Sequence, residues 1–277
     1  GFSWLLLIYG STAKYVLRIQ GMVFAQMLSL IWIVRYLNRY VFWSRLSWSH
    51  VRYSLKYALP RMPYVLSGVV LAQIDRVMLG KFVSIGEAGV YSVGYKVGAL
   101  NFMVLMAVTS ALLPNFYKLM NDKKVNKVDQ LNQQILWLMV FISSGLIMLG
   151  GWLLRLLAGE DFHNGAVVVP AVVFGYFFFS ITGVYNRFIS YYHNTILQSI
   201  AALVAGVINI VLNYYTIPRY GMIAAAYVTA ISYAIQALLT YVLINKFSKG
   251  HISSIKLFFW PVLVMSLVFG FFTYFLA

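Results

Sequence analysis

Arg61, Asp75, Arg76, Lys96 and Arg187 are charged side chains inside stretches of sequence that are otherwise largely apolar. A charge near the middle of a bilayer costs roughly 3 kcal/mol or more. A chain keeps such groups where they pair with each other, reach back to the head groups, or line a pathway for a charged ligand. Arg61 and Arg187 lie near the ends of their stretches, where a reach to the head groups competes with a ligand role. Lys96 lies about one to two turns inside, which favours a pathway. Asp75 is the one acid well inside a stretch and reads as a structural partner for a nearby cation rather than a proton carrier. Consecutive residues do not face each other on a helix. Asp75 therefore shares a face with Tyr64 and Gly68, and Arg76 with Gln73.

Uncharged polar residues recur at helical spacing. Gln198, Ala202, Ala205, Asn209 and Asn213 step by three or four, as do Gly221, Ala225, Thr229, Ser232, Gln236 and Thr240. Gly175, Thr182, Asn186 and Ser190 line up in the same way. One such stripe is explained by helix packing, where small residues allow close approach and amides bond across. Three in consecutive stretches also fit a shared polar cavity.

The elements that carry these residues are apolar runs at about 2–17, 20–37, 58–80, 89–117, 133–154, 166–190, 195–215, 221–244 and 257–277. Each is long enough to cross a bilayer as a helix of about 20 residues. The chain is 62% hydrophobic and 10% charged, and its mean hydropathy is +0.81. It cannot cover its own surface with polar groups, so lipid is its solvent. The expected fold is all-α: a polytopic transmembrane helix bundle of about nine spans.

The net charge of +15 reads as loops facing anionic lipid, not as a nucleic-acid surface. Arg35, Arg39, Arg45, Arg52 and Lys56 fill one linker, and Lys118, Lys123, Lys124 and Lys127 another. Lys246, Lys249 and Lys256 follow the eighth stretch, and the alternate loops are poorer in cations. This bias places the basic loops in the cytoplasm, against Lys14 and Arg18 on the other side. Residues 38–57, with Trp43, Leu46, Trp48 and Val51 among the arginines, read as an amphipathic segment along the membrane surface.

Several chemistries are excluded. Without cysteine there is no disulfide or thiolate site. His50, His163, His193 and His251 are scattered, which argues against a metal site. No nucleotide-binding fingerprint occurs, so no cofactor is expected. Glu160 and Asp161 are adjacent loop acids, and nothing builds a paired-carboxylate cleft around them. Pro60, Pro63, Pro114 and Pro170 near stretch ends are candidate kinks, and Gly94 with Gly98 forms a packing motif. The chain begins at Gly1 within apolar sequence, as a piece of a longer protein would.

Four segments carry a family resemblance. They are Leu59-Pro60 followed by Asp75-Arg76-Val77-Met78-Leu79-Gly80, then Gly89-Val90-Tyr91-Ser92, then Leu113-Pro114 with Phe116-Tyr117, and finally residues 209–233. That last segment reads Asn-Ile-Val-Leu-Asn-Tyr-Tyr-Thr-Ile-Pro-Arg-Tyr-Gly from Asn209, then Ala224-Ala225-Ala226 and Thr229. Together they resemble the polysaccharide or O-antigen flippases of the multidrug/oligosaccharidyl-lipid/polysaccharide exporter superfamily. Ala224-Ala225-Ala226 departs mildly from the Gly-Ala-Ala common in that family.

The resemblance implies a C-terminal six-helix lobe at 56–247. Before it come the last two helices of an N-terminal lobe (1–37) and a cytoplasmic amphipathic linker (38–55), and a further helix follows at 248–277. It implies a multi-pass protein of the bacterial or archaeal cytoplasmic membrane, working as a monomer among membrane lipids and driven by H+ or Na+. The implied substrate is an undecaprenyl-diphosphate-linked oligosaccharide, an O-antigen, capsule or exopolysaccharide unit, moved to the outer leaflet by alternating access. Arg61, Lys96 and Arg187 are then expected at the diphosphate, where Arg offers a fork and Lys a point charge. Asn186, Gln198, Asn209 and Gln236 are expected at sugar hydroxyls, with Asp75 and Arg76 as a pair that stabilises the lobe. A multidrug or cation antiporter would want an acidic cavity, a membrane glycan polymerase or ligase a catalytic constellation, and a scaffold neither.

Overall fold

A computed structural model describes residues 14–40, 47–59, 62–248 and 250–276. The described elements are helical: α1 (Lys14–Tyr40), α2 (Trp48–Ala58), α3 (Met62–Phe82), α4 (Ile85–Gly98), α5 (Leu100–Asn121), α6 (Val125–Leu157), α7 (Val169–Tyr191), α8 (Ile196–Phe247) and α9 (Phe259–Leu276). Short 3-10 turns at Glu160–Val168 and Ile255–Phe258 lead into α7 and α9. Among the described residues, seven helical segments are long and apolar enough to cross a membrane. The fold is a polytopic all-α bundle.

Two compact units are present, residues up to Leu55 and residues from Lys56 onward. In the first, α1 runs unbroken through residues 18–20, where two stretches were expected to part. Arg18 and Gln20 are good helix formers, and the lone Gly21 is tolerated, so polarity alone does not end the helix. Residues 2–13 of the expected first span, and Trp43, Arg45 and Leu46 of the linker, lie outside the described residues. In α2, Val51 and Leu55 lie on the same side as Trp48, with Arg52 and Lys56 flanking it one and two i+4 steps on.

In the second unit α7 is the most deeply buried helix, packed against α6 and α8. Pro63 and Pro170 open α3 and α7, where a missing N–H costs nothing, whereas Pro114 lies within α5. Large apolar side chains such as Phe141, Trp152 and Leu203 point outward, as a lipid-facing belt requires. The interior is narrow-waisted: Ala201, Ala202, Ala205, Ala225 and Ala226 are fully buried. The Gly94 and Gly98 pair brings α4 onto the chain leading into α7, since a Cβ at either would strike Gly165 or Val172. Phe174 of α7 stacks on Phe269 of α9 at 4.4 Å between centroids, seating the last helix.

Gly221 divides α8 into two arms, 196–220 and 222–247, with φ +57° and ψ −141°. Asn209 Nδ2 donates to Ser232 Oγ at 3.1 Å. These residues lie about equally far from Gly221, roughly 16 Å along each arm at helical rise. The arms must therefore fold back side by side, and α8 supplies two spans, as the two separate apolar runs implied. The turn frees the amide of Met222, and Glu87 Oε1 accepts from it at 2.7 Å. Glu87 is itself anchored at the start of α4, where its own amide donates to the N-cap Ser84 Oγ at 3.0 Å. A Cβ at Gly221 would collide with that carboxylate. Gly221→Ala thus meets both a left-handed φ and a steric clash. Gly221→Ala and Glu87→Ala should each lower stability by about 1–3 kcal/mol, with Glu87→Gln milder because it keeps the acceptor. Thermal unfolding in detergent checks this, and an unchanged Gly221→Ala midpoint would refute the account of the turn.

Candidate functional site

The polar side chains of the second unit fall into three groups. The first surrounds Asp75, which α3 turns fully inward between Leu71 and Leu79. The buried Tyr91 hydroxyl of α4 donates to Asp75 Oδ2, and the Arg76 amide donates to Oδ1 at 2.8 Å. The Arg76 guanidinium comes to 3.9 Å of the same oxygen. It also donates to the Ala72 carbonyl and to Gln73 Oε1, and it lies 4.3 Å from the Tyr95 ring centroid. Adjacent residues on one helix meet here because Arg76 is long enough to fold back along α3. Thr229 Oγ1 lies close to the Tyr91 hydroxyl without a well-aligned hydrogen bond.

The second group is made by the stripes. Gln198, Asn209, Asn213, Thr229, Ser232, Gln236 and Thr240 are all buried. Asn213 Nδ2 donates to Asn209 Oδ1 at 3.0 Å, beside the bond from Asn209 to Ser232. Gln198 Nε2 donates to the Asn186 carbonyl at 3.0 Å, and Asn186 Nδ2 to the Tyr64 hydroxyl at 3.2 Å. Yet Asn186 Oδ1, Gln198 Oε1, Asn213 Oδ1, Thr229 Oγ1 and Gln236 Oε1 are buried with no hydrogen-bond partner. Each such acceptor costs about 1–3 kcal/mol if left dry, so the interior is built to meet water or a ligand.

The third group runs inward from the segment between α8 and α9. His251 Nε2 lies 3.1 Å from Asp129 Oδ1, which also accepts from Ser253 Oγ at 2.5 Å. Asn132 Nδ2 donates to that Ser253 oxygen at 2.8 Å, and Arg187 Nη2 donates to Asn132 Oδ1 at 3.0 Å. Arg187 is 5% exposed and rests over Phe116, with Nε and Nη1 unpartnered. Outside the spans, the Lys124 ammonium bonds to Asp122 and holds that carboxyl below the ordinary range.

The expected site residues are therefore dispersed. Asp75 and Arg76 sit together, Asn186 and Gln198 sit together, and Asn209 bridges the arms of α8. Gln236 is buried in the second arm, Arg187 in a separate network, and Lys96 is exposed on α4. Arg61 lies outside the described residues. Sequence reasoning passed over Glu87, Tyr91, Asn132 and Asp129. The Ser84-Ile85-Gly86-Glu87 pattern did signal a helix start, but nothing in it signals Met222 as the partner.

Tyr91→Phe removes the one side-chain donor to Asp75 Oδ2 among the described residues and should cost about 1–3 kcal/mol, while adding Asp75→Leu should recover part of the loss. A double-mutant thermal-unfolding cycle measures this, and strict additivity would show that the two groups do not interact.

The profile of the MatE family matches residues 64–215. The "Probable flippase AglR" of Haloferax volcanii is 28% identical over 207 residues, covering 69% of this chain and 40% of that protein. The "Probable low-salt glycan biosynthesis flippase Agl15" of the same organism is 20% identical over 197 residues, covering 70% and 42%. The chain thus spans about two fifths of the length of the curated relatives it matches. Among solved structures, "Lipid II flippase MurJ, inward closed conformation" superposes with a TM-score of 0.66 at 19% identity, covering 99% of this chain and 66% of that one. The likeness in structure is one of fold.

Proposed function

The chain belongs to the MatE family, and from that premise we propose that it forms part of a flippase that moves a lipid-linked oligosaccharide across the cytoplasmic membrane by alternating access. The substrate proposed is an undecaprenyl-diphosphate-linked repeat unit for O-antigen, capsule or exopolysaccharide. Residues 56–247 would be the C-terminal lobe, with the additional helix of 248–277 beside it, and the linker that holds most of α2 would lie along the cytoplasmic surface.

What carries the reading is the interior of this unit. A bundle that needed only to be stable would not hold six oxygens of Asn, Gln and Thr, those five and Asn101 Oδ1, buried and unpartnered. A glycan carries hydroxyls that would meet such oxygens in turn as the lobes rock. Both Haloferax relatives are named as flippases, and the name of Agl15 ties it to glycan biosynthesis, which supports the same class of cargo.

Lys96 offers a point charge to the diphosphate, with Arg61 and Arg187 as further cations. Lys96 is the sharpest test because it is exposed, so its removal should leave folding within about 0.5 kcal/mol. In the full-length protein, Lys96→Ala should reduce surface glycan display in a flippase-deficient host at least tenfold, at unchanged protein level. Display at the parental level would remove Lys96 from the site.

Coupling to an H+ or Na+ gradient belongs to this proposal. Asp75, the one fully buried acid among the described residues, is held by Tyr91 and Arg76 and is read as a structural partner rather than as the carrier of that cation. Asp75→Asn should therefore leave transport into vesicles sensitive to collapse of the gradient, and loss of that sensitivity would make Asp75 the coupling residue.

A further inference from the structure

A pocket of about 360 Å³ opens among α3, α5, α7 and the second arm of α8, walled by Tyr64, Phe102, Tyr176, Phe179, Tyr233 and Gln236. Four of its rings pack against one another in one tilted cluster. Phe102 lies 5.7 Å from Tyr176 and 5.8 Å from Phe179, and Tyr233 lies 5.6 Å and 5.2 Å from the same two rings. Gln236 is 2% exposed and its Oε1 has no hydrogen-bond partner. Tyr64 stands at the edge, accepting from Asn186 at 3.2 Å. Gln73, also in the wall, accepts from Arg76.

This combination favours one ligand chemistry. A pyranose ring has one face of C–H bonds, weakly positive, and a rim of hydroxyls. The C–H face suits the negative face of an aromatic ring, and the rim needs hydrogen-bond partners set to the side. The pocket supplies both: an aromatic floor and an amide oxygen waiting for a donor. Its volume falls at the small end of ligand sites, enough for one sugar ring and its waters but too large for a single water. An isoprenoid chain would suit the rings but would seal Gln236 Oε1 against hydrocarbon, which buried acceptors resist.

We infer that this pocket is a saccharide subsite, in which one pyranose ring stacks on the Phe102, Tyr176, Phe179 and Tyr233 surface and donates a hydroxyl to Gln236 Oε1. The inference rests on the proposed lipid-linked oligosaccharide cargo and says where in this unit one sugar of it is held.

Saturation-transfer NMR on the purified full-length protein tests it, with the methyl glycosides of glucose, galactose, mannose, rhamnose and N-acetylglucosamine as probes. Equilibrium dialysis of radiolabelled farnesyl diphosphate, a soluble stand-in for the carrier, runs in parallel. At least one glycoside should receive saturation at its ring C–H protons. Gln236→Leu and Phe179→Leu should each weaken that glycoside about tenfold, the scale of one lost polar or stacking contact. Phe179→Tyr, which keeps the ring, should retain binding and so excludes simple misfolding. Farnesyl diphosphate should bind parent and variants alike.

Absence of transfer to every glycoside overturns the inference, as does transfer that survives both Gln236→Leu and Phe179→Leu. Loss of farnesyl diphosphate, rather than sugar, in those variants would make the pocket a site for the lipid chain. A parent protein that binds a glycoside but not farnesyl diphosphate would leave the pocket standing and remove the lipid-linked cargo.

Discussion

A chain that reverses between two membrane-crossing helices frees amide groups at the turn, and they need acceptors where water is scarce. At Gly221 the acceptor is Glu87, from a helix 135 residues earlier in the chain. That single carboxylate ties the start of α4 to the start of the second arm of α8. It thereby sets the two arms against α3 and α4, and the polar faces of all four helices meet. The contact also explains the two demands on position 221, a left-handed backbone and no side chain.

Once those helices are in register, the interior follows from the scarcity of apolar driving force within lipid. Helices in hydrocarbon associate through close approach and hydrogen bonds, since lipid is as apolar as any leucine. Alanines at 201, 202, 205, 225 and 226 allow the approach, and Asn209, Asn213 and Ser232 supply the bonds. Packing alone would end there. The unpartnered oxygens of Asn213, Thr229 and Gln236 exceed what packing uses, and they are the physical basis for reading the same interior as a passage.

Arg187 follows a different logic. Its charge is compensated by an amide oxygen and an aromatic face rather than by an acid, and the nearest acid in its network, Asp129, is reached only through Asn132 and Ser253. The network links α6, α7 and the segment that precedes α9. Asp75 and Arg76, by contrast, are satisfied almost wholly by α3 and α4. The half-buried Arg76 and the buried Arg187 are thus held by separate sets of helices.

Composition alone determined that lipid is the solvent, because a chain with 10% charged residues cannot cover its own surface. Helical spacing determined which faces turn inward: the stripes through Gln198 and Thr229 are buried because period and polarity leave no other arrangement. Sequence also marked Asp75 as a structural partner, since an acid in a span must find a donor. It had no means to name Tyr91 as that donor, or Met222 as the partner of Glu87, because side-chain reach between helices depends on packing angle and register. The same holds for Arg187, whose place near a span end left a reach to the head groups and a ligand role both open and gave no hint of Asn132 on α6 as its partner. Periodicity is local and survives in one dimension; the partners of a buried polar atom are set by which helices lie alongside, and only the folded bundle decides that.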